Sequence, residues 1–132
     1  MFTKVLDRFE QKDLLSLLYE ITKCDDDSSS LEKDYIDSIK EETGIPYIPV
    51  NKNGASFVKS FEGKDIQKRK AVFYEAYCCM MADGILNSDE LHIMRELQLA
   101  LDLSMDEYDA IIAAADKLYM ANKELNELIY GE

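Results

Sequence analysis

The stretch MADGILNSDELHIM, residues Met81–Met94, decides the fold of this chain. An Asp-Gly turn comes first, the polar run Asn-Ser-Asp-Glu follows, and apolar residues then recur at helical spacing. From Asp83 onward the order of residues resembles the second half of an EF-hand calcium loop. The stretch therefore predicts an acidic turn between two helices, and this turn either binds a metal ion or simply starts the second helix.

Comparison with an EF-hand shows that this turn lacks part of the calcium ligand set. If Gly84 takes loop position six, Asp83 takes position five and Glu90 takes position twelve. Positions one and three then fall on Cys79 and Met81, and neither offers the carboxylate oxygen that calcium prefers. The turn is therefore not a working EF-hand.

Helix capping explains part of the same pattern without a metal ion. Asn87 and Glu90 have the spacing of a capping box, in which each side chain accepts a hydrogen bond from the backbone of the other residue. Gly84 supplies the left-handed backbone conformation that a tight turn needs. Both interpretations, a capped helix start and a cation site, stay open on this evidence.

The same acidic turn occurs twice in the chain. A shift of 58 positions places Asp25 on Asp83 and Glu32 on Glu90. The apolar positions after the two turns also coincide, which pairs Tyr35 with Ile93, Ile36 with Met94 and Ile39 with Leu97. We infer a duplicated helix–acidic turn–helix unit, in which each unit covers the apolar face of the other.

Composition and helical spacing together predict an all-α fold. Hydrophobic residues make up 47% of the chain, while Gly and Pro number only five and two. We expect a compact bundle of six or seven helices with two pseudo-symmetric helix-turn-helix repeats. The single domain, residues 1–132, comprises repeat one at about 10–45, a connection at 46–64, repeat two at about 65–103 and C-terminal helices at 104–130.

Two helices are predicted in the C-terminal segment. Ser104 and Glu107 have capping-box spacing, and the helix they start carries an apolar stripe as far as Tyr119. Asn122 is placed to cap a last short helix. The earlier connection is expected to be an ordered crossover with one short helix at about 56–61.

Net charge restricts the classes of partner. The formal net charge of −12 repels phosphate backbones and anionic lipids, so we expect no nucleic-acid partner. No apolar run reaches the length of a membrane span, so no direct membrane insertion is predicted. The densest basic cluster is interpreted as a solvated helix face; it consists of Lys64, Lys68, Arg69 and Lys70.

Cysteine and histidine content argues against catalysis. The cysteines are odd in number and include no C-x-x-C pair, which favours a reduced, cytoplasmic protein. Cys78 and Cys79 fall within a helix that is expected to be buried, so they are interpreted as inert core thiols. The single histidine, His92, is interpreted as a solvated side chain beside a carboxylate.

The two turns hold more carboxylates than capping requires. Asp25–Asp27 are consecutive, and such charges repel one another unless solvent or a cation offsets them. A cation site would use Asp83 and Glu90 together with Asp25 and Glu32. These oxygen ligands suit calcium or magnesium.

A resemblance to a known family adds to these observations. The run MADGILNSDELHIMRELQLALDLS, which starts at Met81, is similar to the ADG–x–x–x–x–E–E signature of TerB-like, tellurite-resistance domains. Such domains also form the N-terminal part of a membrane-anchored DnaJ-type co-chaperone. The likeness covers about residues 76–119 best and extends to the first repeat through LLSLLYEITKCDDDSSSLEKDYIDSIKEETGI. This chain differs in having Asp26 where the family usually has Gly, and in its long connection at 45–65.

The resemblance implies a bacterial, cytoplasmic, all-helical domain that is not an enzyme. It implies an interaction module in a stress response, with a protein partner; a homo-oligomer is left open. It also implies acidic turns that bind a divalent cation. Asp83 and Glu90 match the family motif directly, and Asp25 and Glu32 match it as their first-repeat equivalents. The alternative function is a divalent-cation sensor or buffer that uses these turns.

Overall fold

The computed structural model describes residues 1–23, 30–46, 59–82, 84 and 86–131. Within these ranges the chain forms α-helices and a short 3-10 helix, and no β-strand. The elements are the 3-10 helix Thr3–Val5 and helices α1 (Arg8–Lys23), α2 (Ser30–Thr43), α3 (Ile66–Met80), α4 (Ser88–Ala100) and α5 (Met105–Tyr130). The all-α class is thus confirmed. A count of six or seven helices stays a prediction, because residues 24–29 and 47–58 lie outside the described part.

Helix α3 is the central element of the bundle. It packs against each of the other four α-helices and against the 3-10 helix. A helix that is surrounded in this way needs apolar residues on nearly every side. Its buried residues are Ala71, Val72, Phe73, Glu75, Ala76, Tyr77, Cys79 and Met80. The only charged residue in that set, Glu75, becomes important for the site described below.

The core combines α3 with the inner faces of its neighbours. Leu14, Leu15 and Leu18 of α1 are fully buried, as the helical spacing of the first repeat predicts. Phe61, at the end of the connection, is also fully buried. The end of the connection therefore packs into the core, as expected for an ordered crossover.

Capping boxes start both α4 and α5, as the sequence predicts. The Asn87 side chain accepts a hydrogen bond of 2.8 Å from the Glu90 backbone N–H, and the Glu90 carboxylate accepts one from the Asn87 backbone. Ser104 and Glu107 form the same reciprocal pair at the start of α5. Each pair satisfies two backbone donors that a helix start leaves without partners.

A third capping box, which the sequence analysis missed, starts α1. Asp7 and Glu10 exchange two backbone-to-carboxylate hydrogen bonds of 2.8 Å each. The buried Glu10 carboxylate also pairs with the ammonium groups of Lys68 at 2.9 Å and Lys64 at 3.4 Å. Two of the basic residues that were interpreted as a solvated face therefore join the start of α3 to the start of α1.

Two arginines cover the carbonyl ends of α2 and α4. Arg69 donates two hydrogen bonds of 3.0 Å, to the backbone carbonyls of Leu101 and Asp102 at the end of α4. Arg8 makes the corresponding contact with the last carbonyls of α2. A cation at a helix C-terminus offsets the negative end of the helix dipole. In both the α1–α2 hairpin and the α3–α4 hairpin, an arginine of the first helix thus binds the C-terminal end of the second helix.

The two predicted C-terminal helices form one continuous helix. Asn122 does not cap a new helix but lies inside α5, which has 26 residues and is about 39 Å long. The helix ends at Gly131, which adopts a left-handed conformation with φ of 75°. Every residue from Lys117 to Gly131 is exposed, so the second half of α5 projects from the bundle. No helix among the described residues is both long enough and apolar enough to cross a membrane.

Candidate functional site

The two predicted glutamates occupy equivalent places in the two hairpins. Glu32 is the third residue of α2 and Glu90 is the third residue of α4. Their side chains are only 2% and 4% exposed. Carboxylates at a helix start are usually solvated, and they are almost never buried without partners. Their burial therefore shows that both helix starts point into the bundle.

The buried thiol of Cys79, on α3, interacts electrostatically with both glutamates. Burial raises the pKa of the Cys79 thiol above its usual range, and the negative charges of Glu32 and Glu90 raise it further. A thiol in this environment stays protonated at neutral pH and is a poor nucleophile. The expectation of an inert core cysteine agrees with this environment.

The other two predicted ligands, Asp25 and Asp83, lie outside the described residues. In the part of the chain that the structure describes, no group of three or more His, Cys, Asp and Glu side chains is arranged to hold a metal ion. Glu32 and Glu90 supply oxygen atoms of the kind that calcium and magnesium prefer.

A second feature is a cavity between α2, α3 and α5, with a volume of about 440 Å³. Its lining includes four tyrosines, among them Tyr35, Tyr74 and Tyr77. Glu42 and Asp116 add two carboxylates to the lining. Tyrosine is enriched at binding surfaces because its ring supplies apolar contact area and its hydroxyl forms hydrogen bonds. The sequence analysis did not find this cavity.

Glu75 binds two of the residues that line the tyrosine-lined cavity, Met1 and Tyr35. The terminal ammonium of Met1 and the backbone N–H of Phe2 each donate to its carboxylate at 3.0 Å. The Tyr35 hydroxyl donates a short hydrogen bond to the other carboxylate oxygen. Burial raises the pKa of Tyr35, and the charge of Glu75 raises it further. The hydroxyl therefore stays protonated and holds α2 against α3.

On the opposite wall, Tyr77 links α3 to α5. Its hydroxyl donates a hydrogen bond of 2.5 Å to the Asp116 carboxylate. Burial raises the pKa of Tyr77, and the hydrogen bond to Asp116 raises it further. The wall therefore presents a negatively charged group beside aromatic surface.

Helix α5 also contacts the second acidic turn. Gly84 has φ of 80°, which confirms the predicted left-handed conformation. A Cβ atom at this position would lie 2.5 Å from the Tyr119 hydroxyl. The turn therefore needs glycine both for its backbone conformation and for the close approach of Tyr119. This contact places the turn next to the rim of the cavity, since Tyr119 also lines that cavity.

The single histidine is exposed to solvent. His92 is 74% exposed, and its Nε2 atom lies 2.9 Å from the Glu96 carboxylate. A solvated histidine with a neighbouring carboxylate is what the sequence analysis predicted. This geometry gives His92 no buried partner for acid–base chemistry.

Comparison with known proteins finds no relative. No protein-family model matches the chain, and no curated protein or solved structure is significantly similar to it. The likeness to TerB-like domains therefore rests on the sequence motif alone.

Proposed function

We propose that this chain is a non-enzymatic, TerB-like interaction module of a bacterial stress response that acts in the cytoplasm. The observation that carries the proposal is the tyrosine-lined cavity with carboxylates at its rim. Aromatic walls bind the apolar part of a partner side chain, and the carboxylates bind a positive charge. The partner would thus present a basic residue next to an apolar one.

The register of the helices supports the proposed duplication. A shift of 58 positions carries Arg8–Lys23 onto 66–81, and α3 spans Ile66–Met80. The same shift carries Ser30–Thr43 onto 88–101, and α4 spans Ser88–Ala100. The equivalent glutamates, Glu32 and Glu90, are both buried. Two hairpins related in this way are what a pseudo-symmetric TerB-like domain requires.

The chemistry of the described residues also favours binding over catalysis. Burial and the charges of Glu32 and Glu90 raise the pKa of the Cys79 thiol and keep it protonated. A cysteine nucleophile needs a lowered pKa or an adjacent base, so this thiol is a weak nucleophile. His92 lies at the surface beside Glu96, away from the buried thiol.

The test is a selection of peptides from a random displayed library against the intact protein. We expect enrichment of sequences that place Lys or Arg beside an apolar or aromatic residue. Glu42→Lys, at the cavity rim, should weaken binding of a selected peptide about tenfold, because it replaces an attractive charge with a repulsive one. Glu41→Lys is the matched control, since Glu41 is exposed on the same helix and is not part of the lining.

Two results would contradict the proposal. One is a selection that enriches no class of peptide. The other is a set of selected peptides that bind Glu42→Lys as tightly as they bind the native chain. Glu42 also pairs with the Met1 ammonium at 3.1 Å, so circular dichroism and urea denaturation of both variants verify that the helices and the stability of the fold are retained.

A second candidate function is a divalent-cation sensor or buffer. It is favoured by the burial of Glu32 and Glu90, which are the third residues of α2 and α4. Buried negative charges are costly unless hydrogen bonds or a cation stabilise them. Asp25 and Asp83 would complete the ligand set for calcium or magnesium.

Thermal unfolding of the metal-stripped protein tests this second function. A cation at 100 times its dissociation constant should stabilise the native chain by about 2.7 kcal/mol. Glu90→Gln and Asp83→Asn should abolish this increment, whereas Glu96→Gln, on the exposed face of α4, should keep it. An increment that is absent from the native chain, or that survives in Glu90→Gln, contradicts a cation site at the turns.

A further inference from the structure

The projecting half of α5 carries an apolar seam with the spacing of a coiled coil. Apolar residues recur at alternating intervals of three and four positions from the middle of the helix to its end. They are Ile111, Ala114, Leu118, Ala121, Leu125 and Leu128. This is the a/d pattern by which one helix packs along another. The last four of these residues are exposed, so their partner lies outside the described fold.

The first half of the same seam lines an apolar groove. The groove lies between α5 and α3 and has a volume of about 470 Å³. Ile111, Ala114 and Leu118 form its α5 wall, while Phe2 and Tyr74 contribute aromatic surface on the other side. Among the described residues, one end of the seam thus lines an apolar groove and the other end is exposed on the surface of α5.

We propose that two copies of this chain form a symmetric antiparallel dimer, in which the second half of α5 of each copy lies in the groove of the other. In an antiparallel pair, each a position faces a d position of the second helix. Leu125 of one copy then faces Ala114 of the other, Leu128 faces Ile111, and Ala121 faces Leu118. Two of these three layers combine a large side chain with alanine, which fills space evenly.

Charge complementarity favours the antiparallel direction. Lys117 and Glu124 occupy the g positions that flank the seam. In an antiparallel dimer the g positions face each other, so Lys117 of each copy lies opposite Glu124 of the second copy. A parallel dimer would place both residues opposite uncharged ones, Asn122 and Ile129. It would also stack alanine on alanine at two layers and leave cavities there.

The symmetric dimer removes exposed apolar surface from water. Leu125 and Leu128 are 53% and 73% exposed in the single chain. Each copy buries both of them against the groove of the other, so the dimer covers this pair twice. A two-fold arrangement is also closed, so it does not continue into a filament.

Sedimentation velocity of the full chain at micromolar concentrations tests the proposal. We expect a reversible dimer of the native chain. Leu125→Lys should raise the dissociation constant at least about a hundredfold, since each dimer loses two buried leucines. The control is Met120→Lys, on the outer face of the same helix; Met120 is 58% exposed and Leu125 is 53% exposed. This control should leave the dimer intact.

Reversal of the charges at residues 117 and 124 tests whether the two α5 helices run antiparallel, independently of how their apolar residues pack. Lys117→Glu and Glu124→Lys should each weaken the dimer about tenfold, and the double variant should restore it, because the opposite charges face each other again. Both residues are exposed on α5, so the fold of each copy is retained. The proposal is overturned if the native chain is monomeric, if Leu125→Lys still forms the dimer, or if the double reversal does not restore it.

Discussion

Substitution of Gly84 by alanine tests how the second acidic turn is held against α5. The left-handed conformation of residue 84, with φ of 80°, costs an alanine about 1–2 kcal/mol relative to glycine. The new Cβ atom would also lie 2.5 Å from the Tyr119 hydroxyl, which must move away. Displacement of a packed side chain costs about 1 kcal/mol at the low end of overpacking. We therefore expect Gly84→Ala to destabilise the fold by about 2–3 kcal/mol.

Gly63 provides a matched control for the backbone contribution. Its φ is 75°, and a Cβ atom there would meet nothing within 4 Å. Gly63→Ala should therefore cost only the backbone contribution, about 1–2 kcal/mol. The difference between the two variants, about 1 kcal/mol, isolates the contact with Tyr119.

Tyr119→Phe should recover that difference. It removes the hydroxyl, and the next atom of the ring would lie 3.5 Å from the new Cβ, an ordinary contact distance. Urea denaturation is measured for the native protein, Gly84→Ala, Tyr119→Phe and the double variant. The four free energies of unfolding give the coupling free energy between residues 84 and 119. Equal costs for Gly84→Ala and Gly63→Ala, or no recovery in the double variant, would refute the close approach of Tyr119 to the turn.

Three further predictions concern the ion pairs and hydrogen bonds of the bundle. Burial opposes ionisation of Glu10, but hydrogen bonds from the Asp7 backbone and from Lys68 outweigh burial and lower the pKa of Glu10. The ionised Glu10 therefore stabilises the fold above the ordinary glutamate pKa of about 4.5, and this stabilisation is lost as the pH falls through the lowered pKa. Acid titration of Glu10→Gln should therefore show a shallower loss of stability below pH 4.5 than the native chain. Tyr77→Phe removes a hydrogen bond to a carboxylate and should cost about 1.5–3 kcal/mol in urea denaturation. Glu75→Gln weakens the hydrogen bonds that the carboxylate accepts from Tyr35, Phe2 and the Met1 ammonium, and it should lower the free energy of unfolding by about 1.5–3 kcal/mol. An unchanged midpoint in either urea experiment would contradict the assigned contact.

Helix starts were predictable from the sequence because their chemistry is local. Asn87 with Glu90 and Ser104 with Glu107 satisfy backbone donors within three residues of one another, so the pattern is visible without tertiary structure. The Asp7-x-x-Glu10 pattern carries the same signal at the start of α1, and the sequence analysis overlooked it. The polar signal at Asn122 failed for the opposite reason. A cap contributes only about 1 kcal/mol, and the surrounding Ala, Lys, Glu and Leu residues favour an uninterrupted helix.

Contacts between distant segments were not predictable. Lys68 and Glu10 are 58 positions apart, and nothing in either local sequence shows that they meet. The tyrosine-lined cavity requires side chains from three helices, and spacing along one helix does not show where the others lie. The burial of Glu32 and Glu90 likewise depends on how the helices pack. Glu32 and Glu90 could thus be identified from the sequence, but their burial could be seen only in the fold.

Glu75 is a buried charge at a position where the proposed repeat has an apolar residue in the other hairpin. Under the shift of 58 positions it corresponds to Leu17, and both side chains are buried. An apolar residue therefore occupies this place in one hairpin and a carboxylate in the other. A buried charge weakens a core unless it serves contacts that an apolar residue cannot make. Here it binds the Tyr35 hydroxyl and the terminal ammonium of Met1 at the edge of the cavity. Glu75 therefore holds α2 and the first residue of the chain against α3, and these two partners, Tyr35 and Met1, line the cavity.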